Sequence, residues 1–166
     1  LDNPSFKRKQ NSMIQIVLCD DHAMIRRGIR DTLSENVDMK VVAEAGNYAD
    51  LKDALREVQC DVLILDLNLP GRSGLEILGS IQESHPHIKV LVVSMFSEDQ
   101  YALRSLKAGA SGYLNKAGEP KELTEAVRVV AGGRRYVTPA VSEMLVDQLS
   151  NPGTEALHTR LSEREM

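Results

Sequence analysis

Between residues 13 and 133 the chain alternates two kinds of hydrophobic pattern. Short unbroken apolar runs, such as Ile14–Cys19 and Val62-Leu63-Ile64-Leu65, are separated by segments whose apolar residues recur at helical spacing. Unbroken runs of this length mark strands buried on both faces, and the wider spacing marks amphipathic helices. Strands are predicted at 14–19, 40–45, 62–65, 88–93 and 111–114. A helix follows each. The first, 24–33, aligns Ile25, Ile29 and Leu33; the second, 48–58, aligns Leu51, Ala54, Leu55 and Val58. The third carries Leu75, Leu78 and Ile81, the fourth Leu103 and Leu106, the fifth Leu123, Ala126, Val127 and Val130. Ser73-x-x-Glu76 and Ser97-x-x-Gln100 have capping-box spacing. Glu119-Pro120 opens the fifth helix and Gly132-Gly133 ends it. Five βα units with strands of this kind predict an α/β fold, a doubly wound parallel sheet covered on both faces.

The flanks lack this pattern. Residues 1–12 carry no apolar periodicity, which suggests a disordered tail or an expression remnant. After the α/β unit, Thr138-Pro139 starts an extra helix with Val141, Leu145 and Leu149 aligned, and Ser150 to Arg160 resemble a linker. The extra helix and linker take up 134–160. In 161–166, Ser162-x-x-Glu165 repeats the capping-box spacing, so a helix begins just where the chain stops. A second domain, cut at its threshold, is expected there.

Composition narrows the function classes. Of the 166 residues, 42% are hydrophobic and 27% charged, which fits a globular protein with a real core. A formal net charge of −4 excludes bulk-charge binding to nucleic acid by this chain. No apolar run approaches the roughly 20 residues of a membrane helix, and the polar N-terminus offers no secretory signal. Cys19 and Cys60 sit inside apolar runs, without metal-ligand spacing, as buried free thiols in a reducing compartment do.

In open α/β sheets, ligands bind at the carboxyl ends of the strands. Asp20 and Asp21 follow the first strand, Asp66 the third, Ser94 the fourth and Lys116 the fifth. Clustered carboxylates repel one another and raise each other's pKa unless a cation relieves them. Mg²⁺ suits such an oxygen set, keeping waters and leaving positions for a phosphoryl oxygen. A carboxylate nucleophile, a metal, an ammonium and a hydroxyl together suit phosphoryl transfer to Asp. Each residue alone has a plainer use: Asp20 or Asp21 as a helix cap, Asp66 as a turn residue, Ser94 and Lys116 as surface polar groups. The joint placement of all five at strand ends favours the chemistry.

These residues resemble a CheY-like receiver domain of a two-component response regulator over 13–133. Asp20-Asp21 match the family's acidic pair for the metal, and Asp66, in LILDLNLPGRSGLE, matches its phosphoacceptor. Ser94 matches the Ser/Thr switch position, Lys116 the invariant lysine and Tyr113 the aromatic switch position. Catalysis is thus assigned by resemblance to Asp66, Lys116 and Ser94. Mg²⁺ is assigned to Asp21, Asp66 and the main-chain carbonyl of Asn68, with Asp20 acting through water. The resemblance implies strand order 2-1-3-4-5. One departure is Ala117, where many receivers carry Pro after the lysine, which leaves that peptide's isomer open. The stretch Arg135-Tyr136-Val137-Thr138-Pro139 and the closing LSERE are similar to the NarL/FixJ subfamily, whose last motif opens a LuxR-type helix-turn-helix domain.

The resemblance implies a cytoplasmic regulator that takes a phosphoryl group from a sensor histidine kinase, dimerises on phosphorylation, and controls transcription through a DNA-binding domain outside this chain. It would catalyse only its own phosphorylation and dephosphorylation. Three rivals stand beside it. A nicotinamide-binding Rossmann enzyme needs a glycine-rich turn where this chain has Asp-Asp-His-Ala-Met. A haloacid-dehalogenase-type phosphatase needs Asp-x-Asp where this chain has Asp66-Leu67-Asn68. A phosphorylation-independent interaction module usually lacks part of the acidic set.

Overall fold

The computed structural model describes residues 13–95 and 98–150. Its main sheet has five parallel strands: β1 (Ile14–Cys19), β2 (Met39–Ala45), β3 (Val62–Leu65), β6 (Lys89–Ser94) and β7 (Gly112–Asn115). Their order is β2-β1-β3-β6-β7, the doubly wound arrangement with its reversal between β1 and β3. The helices are α1 (Ala23–Ser34), α2 (Tyr48–Glu57), α3 (Gly74–Ser84), α4 (Glu98–Lys107), α5 (Pro120–Ala131) and α6 (Pro139–Ser150). A two-residue antiparallel pair, β4 (Asn68–Leu69) with β5 (Arg72–Ser73), lies between β3 and α3.

Two-residue periodicity along each strand divides the core in two. Val17, Cys19, Leu63, Leu65, Val90 and Val92 face one side, under α2, α3 and α4. Ile16, Leu18, Val62, Ile64, Leu91 and Val93 face the other, under α1 and α5, which contribute Leu33, Ala126, Val127 and Val130. β3 is wholly buried, as its unbroken apolar run requires. Both cysteines are buried free thiols; burial pushes each up to about 12, with the Asp20 charge adding to the effect at Cys19.

The sheet edge at β7 continues as a single parallel bridge from Gly112 to Tyr136, with the Tyr136 N–H donating to the Ser111 carbonyl at 2.9 Å. This carries the chain back across the fold and packs α6 on α4, where Val141 is 3% exposed and Leu145 joins the same core. Leu149, aligned with them in sequence, is 83% exposed.

Several local expectations are corrected. The segment after Asp66 was not assigned a strand; it forms the β4–β5 hairpin around Gly71, whose φ of +84° favours glycine. Ser73 is the N-cap of α3 but its side chain makes no cap hydrogen bond; its backbone pairs with Asn68 in the hairpin, and the Gly74 N–H donates to the Leu67 carbonyl. The N-cap of α1 is His22, not Asp20 or Asp21. Glu119 and Pro120 open α5 as expected. No cis peptide occurs among the described residues, so Lys116–Ala117 is trans, and the Ala117 N–H is taken by the Asn115 side chain at 2.8 Å. The expected tail 1–12, the Ser97 cap, the linker after 150 and the start of a further domain in 161–166 lie outside the described residues.

Candidate functional site

The parallel sheet delivers Asp20, Asp66 and Lys116 to one edge, each immediately after the last residue of its strand, and Ser94 as the last residue of β6. Backbone bonds fix these ends. Asp20 N–H donates to Ala45 O at 3.0 Å, Asp66 N–H to Cys19 O at 2.9 Å, and Lys116 N–H to Ser94 O at 2.8 Å. The loop ends are thus held in ladder register with their neighbours, and their side chains converge.

Lys116 Nζ lies 2.6 Å from Asp20 Oδ2 and 3.1 Å from Asp66 Oδ2. All three side chains are nearly sealed from solvent, at 6%, 5% and 3% exposure respectively. The other oxygens are held by backbone: Asp66 Oδ1 accepts from Asn68 N–H at 3.1 Å, and Asp20 Oδ1 from His22 N–H at 2.8 Å. Asp21 is different. Its carboxylate stands about a third exposed on the rim, with His22 Nδ1 at 3.0 Å. Carboxylate oxygens of Asp20, Asp21 and Asp66 and a nitrogen of His22 all lie within 4.8 Å of one another.

The electrostatics follow from burial. Desolvation pushes the Asp66 carboxyl above its ordinary range, and the Asp20 charge adds to this; the Asn68 N–H and Lys116 oppose it. Burial alone would lower Lys116, but hydrogen bonds to Asp20 and Asp66 outweigh it and hold the ammonium above its ordinary value. A carboxylate strained by burial beside a fixed cation is a nucleophile whose charge a phosphoryl group and a divalent ion would both relieve. The three carboxylates supply hard oxygen donors, as Mg²⁺ prefers.

Of the residues singled out in sequence, Asp20, Asp21, Asp66 and Lys116 form this cluster. Asn68 begins β4, and its N–H already contacts Asp66. Ser94 is fully buried at the end of β6, beside the β7 end that carries Lys116. Tyr113, one residue along β7 from Leu114, is 3% exposed and shares the core with Val141 and Leu145 of α6. Sequence reasoning missed a supporting layer. Arg26 on α1 donates to the Asp20 carbonyl and lies 3.4 Å from Glu44 on β2, which also pairs with Arg30 at 2.6 Å. The signal was available in the one-turn spacing from His22 to Arg26 and again to Arg30, but its partner Glu44 lies on another strand. A cavity of about 290 Å³ adjoins the site between α1 and α5, with Lys116, Ile25 and Leu123 in its wall.

Comparison with known proteins agrees with this geometry. Residues 16–128 match the response regulator receiver domain family. The chain is 38% identical to the response regulator GacA of Pseudomonas protegens over 156 residues, 93% of this chain and 72% of that protein. It is 35% identical to the response regulator UvrY of Escherichia coli K12, over 93% of this chain and 71% of that protein. Among solved structures, a LuxR-family two-component response regulator from an Aurantimonas species superposes with a TM-score of 0.76 at 32% identity, covering 84% of this chain and 99% of that one. The isolated receiver domain of RcsB from Salmonella enterica, solved with a phosphomimetic, gives 0.73 at 26% identity, covering 80% and 98%. Neither the dinucleotide-binding nor the haloacid-dehalogenase alternative survives this match. The acidic cluster, the strand order and these relatives agree: the chain belongs to the response regulator receiver domain family of two-component systems, with relatives of the LuxR type.

Proposed function

We propose that this chain accepts a phosphoryl group on Asp66 from a sensor histidine kinase in the presence of Mg²⁺, and passes the change to a DNA-binding output domain. The observation that carries this reading is the sealed Asp20–Lys116–Asp66 triad at the strand ends, with Asp21 on its open rim. A carboxylate oxygen of Asp66 attacks phosphorus in line; the new P–O bond forms as the bond from phosphorus to the kinase's histidine nitrogen breaks, and the imidazole leaves. Lys116 keeps Asp66 oriented and then offers its ammonium to the developing charge. The ordering of metal ligands expected from the sequence draws support from exposure. Asp20 is sealed against Lys116, whereas Asp21 stands about a third exposed on the open rim where an ion enters, which favours the water-mediated role for Asp20. Asp21, Asp66 and the Asn68 carbonyl would hold Mg²⁺ directly. When bound, the ion supplies positive charge to the phosphoryl oxygens.

Ser94 donates to a phosphoryl oxygen, and Tyr113 responds to the loop movement that follows. Because Tyr113 packs in the same core as Val141 and Leu145, a rearrangement there reaches α6, the segment leading toward the output domain. Dimerisation on phosphorylation, DNA binding through a domain beyond this chain, and action in the bacterial cytoplasm complete the reading. One relative, RcsB, is described as dimers bound to DNA. Among the described residues no helix is long and apolar enough to cross a membrane. The receiver acts on itself and has no turnover substrate.

The test is intact mass after treatment with acetyl phosphate. A Mg²⁺-dependent gain of one phosphoryl group, absent in Asp66→Asn, is expected. Its persistence in Asp66→Asn would refute the assignment.

A further inference from the structure

We infer that His22 is a nitrogen donor to the divalent cation of this site and sets its metal preference, making the site more receptive to borderline transition-metal ions than three carboxylates alone would be. This rests on the metal-binding reading above. The first observation concerns helix capping. His22 is the N-cap of α1, with φ −95° and ψ 106°, yet its side chain makes no cap hydrogen bond. Ser, Thr, Asp and Asn are the residues that stabilise a helix start from this position. The imidazole therefore does nothing for α1 that explains its presence.

The second observation is where the ring points. Its Nδ1 lies 3.2 Å from Asp20 Oδ1 and 3.0 Å from Asp21 Oδ1. The Asp66 carboxylate completes a group whose donor atoms are all within 4.8 Å of one another. Donors bound at about 2.1 Å to one octahedral ion stand about 3 Å apart when adjacent and about 4.2 Å apart when opposite. The 3.0 Å from His22 Nδ1 to Asp21 Oδ1 is the spacing of adjacent ligands, and the rest of the group lies close enough for a small side-chain movement to bring it onto one ion. The His22 N–H to Asp20 Oδ1 bond, at 2.8 Å, folds the turn that brings ring and carboxylates together. The ring itself is 57% exposed, so it has room to reorient toward an ion. Without an ion Nδ1–H donates to these carboxylates; an ion among them takes the place of that proton, and in the tautomer protonated on Nε2 the Nδ1 lone pair faces it.

Chemistry then sets the preference. Carboxylate, carbonyl and water suit Mg²⁺, whereas imidazole suits Ni²⁺, Zn²⁺ and their neighbours. Mg²⁺ gains little from a nitrogen and can be held by the oxygens alone. A transition-metal ion gains a bond.

The experiment is calorimetric titration of the full chain with Mg²⁺ and separately with Ni²⁺, for wild type and His22→Ala. Both proteins carry His85→Ala, His87→Ala and His158→Ala, which remove the other three histidines of the chain. The expected result is a loss of Ni²⁺ affinity of at least about tenfold in His22→Ala, with Mg²⁺ affinity within about twofold of wild type. Pulsed electron paramagnetic resonance of bound Cu²⁺, an imidazole-preferring ion, provides a readout that a merely structural role would not move. A nitrogen coupling is expected in wild type and not in His22→Ala. Unchanged Ni²⁺ affinity, equal weakening of both ions, or absence of nitrogen coupling in wild type would each overturn the inference. Failure of wild type to bind Mg²⁺ at all would instead refute the metal reading on which it rests.

Discussion

Replacing Lys116 with methionine tests the electrostatic logic of the site most directly. Methionine keeps most of the apolar stem and removes the ammonium. The ammonium now sits 2.6 Å from Asp20 and 3.1 Å from Asp66, with all three side chains almost fully buried. Without it, the carboxylate oxygens, no more than 4.8 Å apart, repel by about 3.5 kcal/mol or more at an effective dielectric near 20. Removing one partner from a buried ionic group costs about 3–5 kcal/mol by comparison with other proteins. Both routes give a loss of that order at neutral pH. The sign with pH follows from linkage. In the variant the Asp66 carboxyl is raised further above its unfolded value, so the folded state binds a proton more tightly. The destabilisation grows as pH rises from the ordinary carboxyl value of 3.8 through the raised folded value of Asp66, and is complete above it. Wild type and variant should therefore differ most near pH 7 and converge as pH falls toward 4, at an order-of-magnitude level. Urea denaturation across that range measures the difference, and millimolar Mg²⁺ should restore part of it. A loss under about 1 kcal/mol at pH 7, or one independent of pH, would refute the account of a buried carboxylate pair held by Lys116.

Gly74→Ala places a Cβ 2.8 Å from the Leu67 carbonyl carbon, so the backbone next to Asp66 must move; stability should fall by about 1–3 kcal/mol and acetyl phosphate should label Asp66 more slowly. Arg128→Ala breaks a two-point bond to Asp38, at 3.0 and 3.1 Å, that ties α5 to the loop before β2. Because both side chains are nearly half exposed, the loss should stay below about 1 kcal/mol and shrink in high salt. Cys19 and Cys60, buried and pushed up to about 12, should resist a disulfide reagent at pH 8 in the folded protein and react together on unfolding.

The sequence by itself determined the order and type of the elements and the edge of the sheet where chemistry would lie. Unbroken apolar runs such as Val62-Leu63-Ile64-Leu65 have no polar face to show to water, so they must be covered on both sides. That requirement and right-handed crossovers leave few topologies. Residues just past those strands must then share one edge, which is why Asp20, Asp66 and Lys116 were legible as a group. Tertiary structure alone decided how the group is wired. Asp20 and Asp21 are neighbours in sequence, yet one is sealed against Lys116 and the other stands on the rim, because successive side chains leaving a strand point to opposite sides. The Lys116–Asp66 and Arg128–Asp38 pairs span 50 and 90 residues, a separation to which local periodicity is blind. The Ser73 cap failed for the same reason. Its backbone pairs with Asn68 in a hairpin, a partner five residues away that the Ser73-x-x-Glu76 spacing does not register. The role of α6 was hidden too. Its apolar face was readable from Val141 and Leu145, but not that it would dock on α4 over the core containing Tyr113. Helical spacing tells a helix which of its faces to bury; only the finished fold supplies the surface that receives it.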